Sequence, residues 1–312
     1  MNNSEILFIY DAKLCNPNGD PDDENRPRMD YERERNLVSD LRLKRYIRDY
    51  LEENGYEIFV TKPDGKTVNA TDRLKLLIEK SNKKIDLNKF KEDDVNWLLS
   101  QLIDVRLFGA TMPIKSDTAK GSSLVFTGPV QFNWGYSLNK VRLVDSNGIT
   151  SHFSSERENS QGAMGKDYRV YYSLIAFHGI ISASRAKHTM MSDGDIKLLE
   201  EAIIKAIPLQ ATRSKIGQYP RLFVRVEYKD NGFMIGDLRD CVEPDKVDEL
   251  REIDDFKLDI TRLSTVLGEN ANRINKVYFW QDEKLVTKSN GNEGRFDKVV
   301  NLSDDMIQEI KY

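Results

Sequence analysis

The sequence predicts an α+β chain in which strands and helices alternate, broken by large insertions. Three observations carry this. EILFIYD at residues 5–11 is an unbroken apolar run of strand length. RVYYSLIAFHGIISA at 169–183 is rich in β-branched and aromatic residues, which favour a pleated, buried surface. Residues 37–53 and 193–207 instead repeat apolar side chains at helical spacing.

After the first strand, residues 12–35 form a long polar loop punctuated by Pro17, Asn18-Gly19, Pro21 and Pro27. In the helix over 37–53, Leu37, Leu41, Ile47, Tyr50 and Leu51 fall on one arc, and Asn54-Gly55 supplies the stop. Arg42, Arg45 and Arg48, three apart, make a cationic stripe on its flank. Lys44 lies inside the apolar arc. Its ammonium either snorkels to water or faces an anion held in a groove. Arg26 and Arg28, in a loop able to fold back over the helix start, would complete such an anion site. Residues 26–48 hold eight Lys/Arg against four Asp/Glu, a local +4 in a chain of net charge -4. That segregation is more informative than the sum.

Tyr56 to Asn69 reads as a hairpin turning at Pro63-Asp64-Gly65. Helical pieces at 71–80 and 92–103 follow, so an insertion spans 56–103, with its helical part at 70–103. DVRLFGA sets Arg106 near a glycine and leads into a polar loop. SLVFTGPVQFN at 123–133 is a strand whose Gly128-Pro129 implies a bulge or an edge, because proline cannot donate to a ladder. Residues 138–167 have few apolar side chains and read as a protruding hairpin tipped near Asn147-Gly148. Ser192 and Asp195 form a capping box for the helix at 193–207. The basic, glycine-containing loop ATRSKIGQYPRL precedes a strand at 222–229. Strand, helix, strand, strand, helix, strand is the split βαβ, or ferredoxin-like, βαββαβ plan. Residues 237–259 carry ten Asp/Glu against four Lys/Arg. The remainder reads as helices at 246–252 and 258–268 and a hairpin around 277–287. The expected organisation is one domain over 1–236, with insertions at 56–103 and 138–167, and an acidic peripheral C-terminal extension of it over 237–312.

With 312 residues, 39% hydrophobic and 31% charged, the composition is that of an ordinary soluble protein. No apolar run approaches the roughly 20 residues of a membrane span, so no membrane partner is expected. MNNSEILFIYDAK lacks the pattern of a signal peptide. Cys15 and Cys241 stand far apart without zinc spacing, which fits a reducing cytoplasm. There is no Walker loop and no GxGxxG, and no cofactor is expected.

NPNGDPDDENRPRMD followed by NLVSDLRLKRYIR resembles the CRISPR-associated RAMP superfamily, and is similar in particular to the backbone subunit of the type I-B Cascade surveillance complex. GAMGKDYRVYYSLIAFHGIISA and TRSKIGQYPRL extend the resemblance over residues 5–230; it is weak for 56–103 and 237–312. The resemblance implies a modified RNA-recognition (RRM-like) fold repeated along one guide RNA (crRNA) as a helical filament. It implies that the loop and helix bearing Arg26, Arg28, Ser39, Arg42, Lys44, Arg45 and Arg48 clasp the sugar-phosphate backbone. Arg106 and the loop with Arg213, Ser214, Lys215 and Gly217 would add further contacts, and the hairpin at 138–167 would act as a thumb over the RNA. The implied partners are crRNA, further copies of the chain, other Cascade subunits, the target DNA strand paired to the guide, and a recruited helicase-nuclease.

The chemistry agrees with that implication. A subunit that accepts any guide must read phosphate and shape rather than base edges, while base pairing supplies specificity. Tyr171, Tyr172 and Phe177 are either core or base-stacking residues. The alternative is a metal-dependent ribonuclease, since the superfamily includes nucleases and Asp20, Asp22, Asp23 and Glu24 cluster in the first loop. Their spacing fails the EF-hand template, and such turn-rich acidic stretches are commonly solvated loops. His152, His178 and His188, the three histidines, fall in no catalytic constellation. The sequence therefore reads as a non-catalytic binding scaffold with no metal site.

Overall fold

The computed structural model describes residues 1–87, 90–114, 122–145, 147–150 and 164–312. β1 (Ser4–Cys15) leads into two short ladders, β2 (Gly19–Asp20) with β3 (Arg26–Pro27) and β4 (Met29–Asp30) with β5 (Arg35–Val38), and then α1 (Asp40–Glu53). The region expected as an insertion over 56–103 contains α2 (Ala70–Lys80) and α3 (Glu92–Gln101) and continues past it into α4 (Ile103–Phe108) and a hairpin of β6 (Gly109–Ile114) with β7 (Ser122–Thr127). Next come β8 (Val130–Phe132), β9 (Gly135–Ser137), a separate ladder of β10 (Gly148–Thr150) with β11 (Met164–Lys166), β12 (Val170–Ile181), α5 (Ala183–Thr189), α6 (Asp193–Leu209) and β13 (Gln218–Tyr228). The C-terminal region adds β14 (Glu243–Pro244), β15 (Leu258–Asp259), α7 (Thr261–Glu269), β16 (Ile274–Gln281), β17 (Thr287–Ser289), β18 (Asn292–Gly294), α8 (Phe296–Val299) and β19 (Ile307–Glu309). The fold is α+β.

The main sheet runs β19-β16-β13-β1-β12-β9-β5-β4, with β8 also paired to β12. Its neighbours are antiparallel except β16 with β19. Alternate side chains of β1 point to opposite faces. Ile6, Phe8 and Tyr10 pack under α1 and α6, whereas Leu7 and Ile9 pack against residues of the C-terminal region, among them Leu238, Phe256 and Leu263. Both faces are covered, so the centre of the strand, residues 6–10, is unbroken apolar instead of alternating. A third cluster, with Leu74, Leu98, Leu99 and Leu102, gives the insertion its own core.

Several expectations need correction. The helix expected from 37 starts at Asp40, because residues 35–38 form a strand, Leu37 and Val38 pairing with β9 and Arg35 and Asn36 with β4, and Ser39 caps the helix by accepting from Arg42 N–H. Its buried face is Leu43, Tyr46, Ile47, Tyr50 and Leu51 together with Lys44 and Arg48, and Leu41 is exposed. Residues 56–69 form no hairpin. The backbone N–H groups of Phe59 and Val60 donate to the buried Asp104 carboxylate, at 2.8 and 3.1 Å, where a strand partner would otherwise be needed.

Gly128-Pro129 is a corner where the chain leaves β7 for β8 in a different sheet. A Cβ on Gly128 would lie 2.1 Å from the Phe108 carbonyl carbon. Asn147-Gly148 is not a hairpin tip: Gly148 pairs with Lys166, and Asp167 N–H donates to Asn147 O. Residues 151–163, which join β10 to β11, lie outside the described residues. Residues 246–252 are not helical, and the helix expected over 258–268 is α7, preceded by β15. The hairpin around 277–287 does not form. Both edges of β16 are taken by β13 and β19, and β17 pairs with β15 and β18.

Candidate nucleic-acid interface

One end of β1 brings three segments together: the loop after it, the first turn of α1, and the loop that enters β13. Asn18 Oδ1 accepts from both Ser39 N–H (2.9 Å) and Ser39 Oγ (3.0 Å), docking the first loop on the helix cap. Asn36, fully buried, donates to Arg28 O at 2.9 Å and fixes the next part of that loop. Across the junction, Lys13 N–H donates to Gly217 O and Asn16 N–H to Ser214 O, each at 2.8 Å. Gly217 sits at φ 101°, and a Cβ there would meet Lys13 O at 2.4 Å, so the close approach needs glycine.

The cations at this junction differ in how they are compensated. Arg28 Nη1 lies 3.0 Å from Asp20 Oδ2, with its guanidinium near the half-exposed Trp134. Arg26 stacks 4.7 Å over the Tyr168 ring, donates to its hydroxyl at 3.2 Å, and has Asp23 and Glu24 at 3.8 and 4.0 Å. Exposed Arg213 reaches Asp167, which also holds Arg169.

Arg42 and Lys215 stand apart, because neither has a carboxylate within 4.0 Å among the described residues. Arg42 lies 3.8 Å over the Tyr46 ring, and its Nε is buried without a hydrogen-bond partner. Lys215 donates to the carbonyls of Asn16 and Pro17, at 2.6 and 3.3 Å. Burial, then the charge of Arg42, pushes its ammonium down to about 8. An anion between Arg42 and Lys215 would relieve that repulsion, and the phosphate group is the natural complement of such a pair.

Arg26, Arg28, Ser39, Arg42, Arg213, Ser214, Lys215 and Gly217 thus come together at one end of the sheet. The other four candidates do not join them. Lys44 neither snorkels nor faces a free groove. It is buried, 2.9 Å from Asp40 and 3.3 Å from Gln131 Oε1, so the anion it holds is the helix's own first-turn carboxylate. Arg45 turns to Val60 O and Asp49. Arg48 donates to buried Asp104 at 2.9 Å. Arg106 forks onto Asp195 at 3.0 and 2.8 Å, with Leu99 O and Ser100 O on its remaining donors. These arginines bind the insertion to the body of the protein.

Sequence reading missed Asn16, Asn18, Tyr46, Lys166 and Tyr168. Asparagines in a turn-rich loop carry no linear mark of which backbone they will cap, and Lys166 and Tyr168 reach the site only through the β11 ladder. Glu24 accepts from Lys166 Nζ at 2.8 Å and Tyr168 OH at 2.8 Å, and the Lys166 bond above all holds its carboxyl below the usual range. With Asp20 on Arg28 and Asp23 near Arg26, the acidic loop serves its neighbouring cations. Among the described residues no group of three His, Cys, Asp or Glu side chains is placed to hold a metal ion. His178 is buried and accepts from Leu238 N–H, His188 lies in the short α5, and His152 lies outside the described residues. Tyr172 and Phe177 are core, and Tyr171 lies under the Arg251 guanidinium. No helix among the described residues is long and apolar enough to cross a membrane.

Comparison with known proteins adds a family. The profile described as CRISPR-associated protein Cas7 matches residues 2–261. A protein of Haloferax volcanii described as CRISPR-associated protein Cas7 is 35% identical over 301 residues, which cover 91% of this chain and 88% of that one. Among solved structures, a chain of a "CRISPR RNA-guided surveillance complex, pre-nicking" superposes with a TM-score of 0.50 at 12% identity, covering 99% of this chain and 96% of that one. At that identity the likeness speaks to the fold alone.

Proposed function

The chain belongs to the CRISPR-associated Cas7 family, and from that footing we propose that it is the non-catalytic, guide-RNA-binding backbone subunit of a type I-B Cascade surveillance complex. In this reading copies of the chain line up along one crRNA as a filament in the cytoplasm, alongside other Cascade subunits. The assembled guide pairs with a target DNA strand, and a helicase-nuclease is then recruited. The core is an RRM-like βαββαβ unit over 1–236, supported by the sheet order β13-β1-β12-β8 with α1 and α6 on one face. Residues 138–167 serve as the thumb, and 237–312 extend the same domain.

The observation that carries the reading is the uncompensated pair of Arg42 and Lys215, where the first loop, the α1 cap and the loop before β13 converge. Contacts of this kind address phosphate and carry no sequence information. Arg26, Arg28, Arg213 and the backbone of Ser214 and Gly217 extend the same surface. Carboxylates of the Asp20–Glu24 loop are engaged by Arg28, Arg26 and Lys166, and no observation favours the ribonuclease alternative.

The test is the double variant Arg42→Ala with Lys215→Met, titrated with single-stranded guides of unrelated sequence at several salt concentrations. Affinity falls for every guide alike, and the log–log salt slope flattens by about 0.7 per lost phosphate contact. Unchanged affinity and slope would remove this junction from the RNA path.

A further inference from the structure

Of Tyr171, Tyr172 and Phe177, read from the sequence as either core or base-stacking residues, Tyr172 and Phe177 are core, and a different aromatic stands in the open. β13 is buried along nearly its whole length, yet Tyr219, its second residue, is 47% exposed. Tyr219 lies opposite Asp11 in the β1 register, two residues beyond the Gly217 junction. Leu14 and Ile216, exposed by 49% and 59%, belong to the same meeting of β1 and the loop before β13. Single exposed apolar residues are ordinary, but three at one sheet end form a patch.

The ring has a rigid backing. The Arg221 guanidinium lies 5.6 Å from its centroid and is only 8% exposed. Arg221 Nε donates to Asp11 Oδ2 at 2.8 Å and Nη1 to Asp282 Oδ1 at 2.5 Å; Tyr172 OH donates to the same Asp11 oxygen at 2.9 Å. An arginine pinned by two carboxylates presents a fixed planar face to an aromatic ring. Tyr219 lies four residues along the chain from Lys215, and nearly half of its surface is open to solvent.

We propose that Tyr219, backed by Arg221 and flanked by Leu14 and Ile216, is a stacking platform for one nucleobase of the bound RNA. The proposal rests on the guide-RNA reading and deepens it. Tyr219 stands at the same end of the sheet as the cationic junction, on the face opposite Tyr46 and Arg42, and the exposed Arg213 on the adjoining loop favours a polyanion over a second protein surface as the occupant. Stacking on a tyrosine face accepts any base, as a protein that serves every guide requires.

The experiment measures the affinity of the full chain for a single-stranded guide, intact or carrying abasic positions, across a range of salt. Tyr219→Phe binds as the unaltered chain does. Tyr219→Ala and Tyr219→Leu weaken binding roughly 5- to 150-fold, the span expected for one stacked base, with the salt slope unchanged because no phosphate contact is lost. Abasic RNA brings the unaltered chain down to the level of Tyr219→Ala, an arm that does not depend on any variant folding. If Arg42→Ala with Lys215→Met weakens binding while Tyr219→Ala does not, the platform is overturned and the RNA reading stands. If neither changes affinity, this end of the sheet lies outside the RNA path and the platform falls with it; if the unaltered chain does not bind the guide at all, the RNA reading itself fails. A Tyr219→Ala effect confined to the number of copies loaded per RNA would assign the patch to contact between copies and overturn the proposal.

Discussion

Arg48 and Asp104 are nearly out of solvent, and Asp104 also takes the N–H groups of Phe59 and Val60. Removing one partner of such a pair strands the other charge in a poor solvent. Arg48→Met therefore destabilises the fold by about 3 kcal/mol and leaves the salt slope of RNA binding as it was; chemical denaturation and a salt titration check the two halves separately. Lys215 behaves in the opposite way, because its charge is already disfavoured in the free protein. Its pKa of about 8 means that it sheds its proton as the pH rises past that value, whereas a facing phosphate holds the proton on. RNA affinity is then level below about pH 8 and falls above it, and Lys215→Met abolishes that fall in pH-resolved binding titrations. For stability the sign reverses. A depressed lysine costs the free fold stability below pH 8, and the cost is relieved between pH 8 and the ordinary lysine value of about 10.4.

At the scale of elements, the interface is a joint between the end of β1 and two loops, and its accuracy depends on close backbone approach. Gly217→Ala places a Cβ against Lys13 O at a φ that favours glycine. The expected cost is about 1–3 kcal/mol of stability, with a loss of RNA affinity from displacement of Lys215, read by denaturation and binding on the same sample. Ser39→Ala removes the α1 cap and leaves Asn18 Oδ1 with only the backbone N–H of residue 39 as a donor. It costs about 1 kcal/mol and loosens the loop that carries Arg26 and Arg28. Parts of the fold were legible in the sequence. The capping box at Ser192 and Asp195 forms as expected, and β12 occupies almost the whole of its expected span. Helical spacing places Leu37 in the α1 stripe, but its segment pairs with β9, and the buried face of the helix takes a different phase.

For the whole molecule, the central sheet is covered on both faces, one by α1 and α6 and the other by the C-terminal region. A chain ending at residue 236 uncovers Leu7, Ile9, Leu174, Val224 and Val226 together. Apolar patches of that extent drive association, so the truncated protein is recovered in aggregates, whereas the full chain elutes at a defined size on a sizing column.

Periodicity and turn chemistry, which are local, were enough to establish the α+β class, the order of the central strands and helices, and the basic segments that the interface draws on. They could not distribute the charges. Arg42, Lys44 and Arg48 look alike along one helix; Tyr46 beneath Arg42 and Asp40 beside Lys44 are local, four residues away on that helix, whereas Gln131 at Lys44 and Asp104 at Arg48 come from other elements. Asp104 is 56 residues away from Arg48 in the chain, and Lys215 is 199 away from Asn16. Whether a cation is spent on a carboxylate or left for an anion is a property of long-range neighbours and their burial, and that neighbourhood exists only once the sheet has been assembled.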